Sequence, residues 1–416
     1  MQLRDVESLE SEVRRAVEDV TVTDIHTHLF PPSHGNLLLW GVDELLTYHY
    51  LVAELFTVAP RSLRPAKFWK LSKARQADLV WEYLFLAGGA LSEACRGVIT
   101  TLNVLGLDVA NRDLAGVRQW FGRQKIDEYL PRVFELAGLD YAVMTNDPFK
   151  PQEVKHWKAD TPRPDCFRPA LRIDTMILDW PAACKTISAA GYKTGPAGGA
   201  KSFAEGRKFL LDWAKRIKPL YLAASLAADF AYPSRASSSA VIKHVVVPAA
   251  MELGIPVAMM IGVRKGVNPA LGDGGDGVGV ADVTAVQHLC QEFPKAKFIV
   301  TMLSRVNQHE LCVLARKFGH LHVEGCWWFC NVPSIIEEIT RMRLELLGTA
   351  FTVQHSDARI LDQVIYKWAH TRKIVADVLV DKYTDLFGAS WRPTADEIRR
   401  DVRAIFGGSF EAFLAK

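Results

Sequence analysis

The stretch Val20–Phe30, VTVTDIHTHLF, decides how the rest of the chain is read. Val20, Val22 and Thr23 are β-branched, the run alternates, and it stops at Pro31-Pro32, as a short strand does. Asp24, His26 and His28 lie two residues apart, so on a strand they are expected on one side. Two imidazoles together at a strand end supply half of a divalent-metal site. A hydrogen-bonded histidine pair would leave the same trace. The metal reading therefore depends on a third ligand and on a scaffold that brings it near.

The scaffold follows from the downstream pattern. From about Trp40 to Gly138 no run reads as a strand, and ELLTYHYLVAEL, KARQADLVWEYLFLAGG and KIDEYLPRVFELAGL carry helical spacing. Short β-rich runs then alternate with helical stretches. The runs are LDYAVMT (139–145), FRPALRID (167–174), PLYLAASL (219–226), IPVAMMIG (255–262), KFIVTML (297–303), HLHVEG (320–325) and AFTVQHSD (350–357), and the opening strand brings the total to eight. Alternation of this kind argues for parallel strands joined by right-handed crossovers. Eight such units predict an α/β fold, a closed (β/α)8 TIM-type barrel with its active-site groups at the C-terminal strand ends. An open doubly wound sheet is the alternative, but no GxGxxG follows a strand, so dinucleotide binding has little support. The division expected is a leading helix and first strand over 1–34, a helical insertion over 35–138, and the rest of the barrel with C-terminal helices over 139–416.

In a closed barrel the first and last strands are neighbours. His355 and Asp357 end the eighth strand in QHSDAR, so Asp357 is placed to complete a His-His-Asp site with His26 and His28. A second HxH, His320 and His322, begins the seventh strand and is expected at the opposite, structural face. The loop LGDGGDGVGV (271–280) lacks GK[ST], so it is no P-loop and reads as a mobile loop near the mouth of the site.

Composition narrows the function classes. The 416 residues are 49% hydrophobic and 23% charged, an ordinary globular balance. A net charge of +3 without a basic block gives no reason to expect nucleic acid or an acidic membrane surface. No apolar run approaches the roughly 20 residues that span a bilayer. The N-terminal segment is charged throughout and lacks the apolar centre of a signal peptide. Val6, Leu9, Val13, Ala16 and Val20 form one helical stripe, so a packed leading helix is expected there. Seven cysteines without a framework read as reduced thiols in a cytoplasmic protein.

A metal-binding HxH on strand one and an aspartate on strand eight resemble the amidohydrolase superfamily. Its usual hydrolases add a lysine on strand four and histidines on strands five and six, and the corresponding runs here carry none of these. Over nearly its whole length the chain is similar to one unusual branch, the uronate (glucuronate) isomerases. The matching stretches are TDIHTHLF, LLTYHYLVAE, SEACRGV, VMTNDPF, ALRID, TMLSRVNQHEL, GCWWF and QHSDAR. The resemblance implies aldose–ketose interconversion of hexuronates, D-glucuronate to D-fructuronate and D-galacturonate to D-tagaturonate. A small-molecule hexuronate is the partner this implies, and a homo-oligomer is expected.

That reaction moves a proton from C2 to C1 of an open-chain sugar acid. It needs a base, an electrophile for an enediolate and an anchor for the C6 carboxylate. A single divalent ion on His26, His28 and Asp357 fits, with zinc best suited to the N/N/O donor set and manganese, iron or cobalt as alternatives. Asp357 is also the candidate proton carrier, against a role as ligand alone. Arg359 would place fixed charge beside the enediolate, and Arg172 would be a bidentate carboxylate anchor unless Asp174 takes it. On spacing alone His49 and Tyr50 are packed helix residues. The resemblance moves them into the site, His49 as proton shuttle for ring opening and Tyr50 as donor to a sugar oxygen. Trp328, within Trp327-Trp328-Phe329, would stack on the sugar or close the pocket, and Arg305 is a further expected contact. The competing readings are a mononuclear hydrolase or decarboxylase of a sugar acid on the same scaffold, and a non-catalytic sugar-acid binder.

Overall fold

The computed structural model describes Leu3 and residues 5–416; Met1, Gln2 and Arg4 of the charged leading segment lie outside the described residues. The strands are β1 (Val22–Thr27), β2 (Leu139–Asn146), β3 (Phe167–Arg172), β4 (Leu222–Ala227), β5 (Val257–Arg264), β6 (Gly277–Val278), β7 (Phe298–Met302), β8 (Leu321–Glu324) and β9 (Phe351–Thr352). They pair in the order β1-β2-β3-β4-β5-β7-β8-β9, all parallel, with the two-residue β6 antiparallel on β5. Helices cover the outside, so the chain is an α/β barrel of the TIM type. Between β1 and β2 the chain is helical, including His49–Val58, Glu93–Val104 and Ile126–Ala137.

The leading helix, Val6–Asp19, starts at a reciprocal Asp5–Ser8 capping box and buries Leu9, Val13, Ala16 and Val17. It packs on the long helix Gln363–Gly388 that follows the last strand. Inside the barrel, Ile25, Tyr141, Val143, Ala170, Ala223, Ala258 and Ile299 fill the lower layer. Phe410 and Phe413 of the C-terminal helix Ser409–Ala415 plug it from below.

The eighth barrel strand differs most from expectation, since only Phe351 and Thr352 join the ladder. A π-helical turn, Ala404–Gly408, enters the gap below, and Ile405 O accepts the backbone N–H of Val353 at 2.9 Å. Gly407 at φ +138° makes this approach possible, because a Cβ there would collide with Thr23. Above the wedge the ends of the sheet meet. His28 N–H donates to Ala358 O at 2.8 Å, and Asp357 N–H donates to His26 O at 3.1 Å. The two ends are thus joined at the rim where β1 delivers its histidines.

Candidate functional site

β1 and β2 are out of step next to the histidines. Asp24 and Thr27 pair with Ala142 and Met144, which puts one extra residue on β1 between them. A bulge of this kind re-aims side chains. Ile25 stays in the barrel interior, while Asp24 is turned to the seam. There its carboxylate accepts the backbone N–H of Ser356 and the indole N–H of Trp368, each at 3.0 Å. The expectation that Asp24 shares one side with His26 and His28 is corrected by this bulge.

His26 Nε2 and His28 Nε2 stand 3.7 and 3.2 Å from Asp357 Oδ1. One ligand atom from each of the three residues lies within 4.8 Å of the others. The other nitrogen of His28 is 3.1 Å from Thr145 Oγ1, which orients the ring. His26 Nε2 is buried and finds no hydrogen-bond partner among the described residues. An orphaned imidazole nitrogen facing a carboxylate and a second imidazole fits a divalent cation, because such an atom otherwise costs the full desolvation of a polar group. Burial drives the His26 imidazole well below its usual range and His28 down to about 4, so both are neutral, the form that ligates metal. Burial opposes the Asp357 charge, but the hydrogen bond with His28 and the pull of His28, His26 and Lys367 outweigh it and keep the carboxylate ionised. Asp357 holds φ +50°, a left-handed conformation that costs a non-glycine residue free energy and here aims its carboxylate.

Behind this set, His355 Nδ1 pairs with the buried Glu324, and its ring lies 5.2 Å from that of His26. Gly325 (φ +62°) leaves room for the ring, since a Cβ there would strike it.

The barrel mouth above Asp357 holds a cavity of about 110 Å³ lined by His28, His49, Arg172, Asp174, Trp328 and Arg359, among others. Arg172 is there, but its Nε and Nη2 are both given to Asp174, each at 2.9 Å. Asp174 also accepts the Ser225 N–H at 3.1 Å. The free bidentate fork expected from the sequence is therefore taken. The Nη1 edge of Arg172 is the part left for another anion. Arg359 Nη1 pairs with Asp273, which places the glycine-rich loop over the site. That loop packs so closely on His49 that a Cβ at Gly274 would meet the His49 carbonyl.

His49 begins its helix, and its Nε2 is buried without a hydrogen-bond partner among the described residues. Burial pushes its pKa down to about 3, with the Arg359 charge adding to the shift, so the ring is neutral. Among the described residues the buried Tyr50 hydroxyl and Trp328 indole N–H likewise have no hydrogen-bond partner. Trp328 sits at φ +47° and stacks on Phe329, ring centroids 5.0 Å apart. Arg305 is not brought to the site. It is exposed and pairs with Glu338 at 2.8 Å, because the turn after β7 swings it to the outer surface. His320 and His322 lie away from the site, held by Cys290 O at 3.2 Å and Thr352 Oγ1 at 2.9 Å. Sequence reasoning missed Asp273, Lys265 and the Glu324–His355 pair. Asp273 alone had a signal, a charged residue inside a glycine-rich loop. β4, β5 and β7 contain no histidine or lysine.

No family model matches the chain, and no curated protein matches it. Solved structures do match. A uronate isomerase from Bacillus halodurans C-125 is 47% identical, with a TM-score of 0.97 over 100% of this chain and 98% of that one. A uronate isomerase from Thermotoga maritima is 13% identical, with a TM-score of 0.76 over 97% of each chain. A glucuronate isomerase from Caulobacter crescentus is 14% identical, with a TM-score of 0.75 over 100% of this chain and 95% of that one. The last two share the fold.

Proposed function

Because this chain belongs to the uronate isomerase family, we infer that it interconverts aldose and ketose hexuronates, D-glucuronate with D-fructuronate and D-galacturonate with D-tagaturonate. The observation that carries the reading is 47% identity along the whole chain together with a buried His-His-Asp cluster at the barrel mouth. When bound by His26, His28 and Asp357, a divalent cation would supply Lewis acidity toward the C1 carbonyl and C2 hydroxyl.

The chain's own residues divide the remaining work. Arg172, through Nη1, anchors the C6 carboxylate and sets which end of the open chain reaches Asp357. Asp357 carries the proton from C2 to C1. A carboxylate held below its usual range is a weak base, so most of the rate must come from stabilising the enediolate rather than from base strength. Arg359, fixed by Asp273, brings a permanent positive charge to that intermediate. Tyr50 donates its unpartnered hydroxyl to a sugar oxygen, Trp328 shields the chain from water, and neutral His49 moves protons during ring opening.

We further propose zinc as the ion, on the N/N/O donor set, and a reducing cytoplasmic setting, on seven thiols that are all unpaired. We also propose a homo-oligomer, which sedimentation would test. No described helix is long and apolar enough to cross a membrane. The deciding assay is incubation with glucuronate or galacturonate in deuterated water, followed by proton NMR. A keto-uronate carrying deuterium at C1 is expected. No keto product from either sugar, with metal bound, would overturn the reading.

A further inference from the structure

The mouth of the barrel holds two adjoining cavities, and of the residues given a role toward the substrate above Tyr50 lines the outer one alone. The inner cavity, about 110 Å³, carries the charged groups Arg172, Asp174, Lys265, Asp357 and Arg359, set among apolar ones such as Val263 and Trp327. Beside it lies an outer cavity of about 260 Å³ with aromatic walls, Tyr50, Trp328, Phe329 and Tyr366, and a few polar groups, Glu93 and Asn331 among them. His49 and Trp328 are the residues that line both. Small-ligand sites run to roughly 300–1,000 Å³, so the inner chamber alone is small for a sugar acid.

The two walls suit two forms of one molecule. A pyranose presents flat C–H faces that stack on aromatic rings, whereas an extended open-chain acid presents a carboxylate and, on reaction, an enediolate. We propose that the outer chamber is a separate ring-opening station, where the cyclic hexuronate binds before its open chain passes into the inner chamber. This rests on the isomerase reading. His49 lines both cavities, and among the described residues its buried Nε2 has no hydrogen-bond partner. In the opening step the O1–H proton passes to that nitrogen, the O1–H bond pair forms the C1–O1 double bond, and the C1–O5 pair goes to O5. O5 takes a proton back from the imidazole. No proton or electron is gained or lost.

The test fills the outer chamber alone. Ala53 and Ala94 line it and not the inner one, and neither has a role in the chemistry above. Ala53→Leu and Ala94→Leu, as metal-loaded full-length proteins, are compared with the parent in two measurements. One is consumption of a freshly dissolved single pyranose anomer, relative to its spontaneous mutarotation. The other is binding of an acyclic hydroxamate of the aldonic acid series. The parent should outrun mutarotation. At least one variant should fall tenfold or more in kcat/KM on the pyranose, toward the rate set by the free aldehyde, while hydroxamate affinity stays within twofold. Unchanged use of the pyranose by both variants, or parallel loss of hydroxamate binding, overturns the two-chamber proposal. A parent protein that makes no keto-uronate at all instead overturns the isomerase reading beneath it.

Discussion

Asp24 on the first strand accepts the backbone N–H of Ser356, 332 positions later, at 3.0 Å. With the Trp368 indole on its other oxygen, this buried carboxylate ties the segment that carries Asp357 to the strand that carries His26. The His26–His28–Asp357 cluster is built across a seam, and Asp24 is a clasp on that seam. Asp24→Asn keeps the size but turns an NH2 group toward one of two N–H donors. Leaving a buried donor unsatisfied costs about 1–3 kcal/mol. Denaturant unfolding of the metal-free protein should show a loss of that size, and the variant should hold zinc less tightly. A wild-type midpoint would mean that the seam is held elsewhere.

The cation itself should stabilise the fold. A ligand that binds only the native state adds RT ln(1 + [L]/Kd), about 2.7 kcal/mol at a hundred times Kd. Chelation should abolish isomerisation and lower Tm, and zinc should restore both. In His26→Asn the Tm response to zinc should be lost. A variant whose Tm still climbs with zinc as in the parent would remove His26 from the ligand set.

How much of this was visible in the sequence depended on whether the signal was local or tertiary. The His26/His28 spacing, the alternation of strands and helices, and Asp357 in QHSDAR together gave the barrel and its cluster, because each is a local pattern with one geometric consequence. The bulge that turns Asp24 away was not visible, since a strand pattern of period two carries no mark of one extra residue. Nor was the wedge at Gly407 visible, which shortens β9 by filling its ladder with a turn from the far C-terminus. Arg305 failed for a related reason. A residue just past a strand end points wherever the next turn sends it, and here the partner that decides is Glu338, on another helix. Arg172 and Asp174 were legible as a pair, but not which contact dominates.

That pairing shapes the next expectation. Arg172→Met would leave Asp174 buried without its cation and confuse binding with folding. Arg172→Lys keeps the charge beside Asp174 but loses the planar fork. KM for glucuronate should rise at least tenfold, about 1.4 kcal/mol, with kcat changed far less. An unaltered KM would place the carboxylate anchor at another residue, with Lys265 the next cation lining the cavity.

Acid should destabilise the barrel through a histidine far from the chemistry. His322 is buried on β8, donates to or accepts from Thr352 Oγ1 at 2.9 Å, and stacks on Phe413 with centroids 5.2 Å apart. Burial pushes its pKa from 6.5 down to about 3, with the charges of Arg343 and Lys416 adding to the shift. Below 6.5 the unfolded chain therefore takes a proton that the folded chain refuses. Stability is whole above 6.5 and falls as pH drops toward 3, with a slope of at most about 1.4 kcal/mol per pH unit from this group. His322→Gln retains a side-chain amide that can reach Thr352 and does not titrate. Its unfolding free energy, measured metal-free between pH 7.5 and 4.5, should fall less steeply than the parent's. Parallel curves for the two proteins would show that this imidazole is not what makes the barrel acid-sensitive.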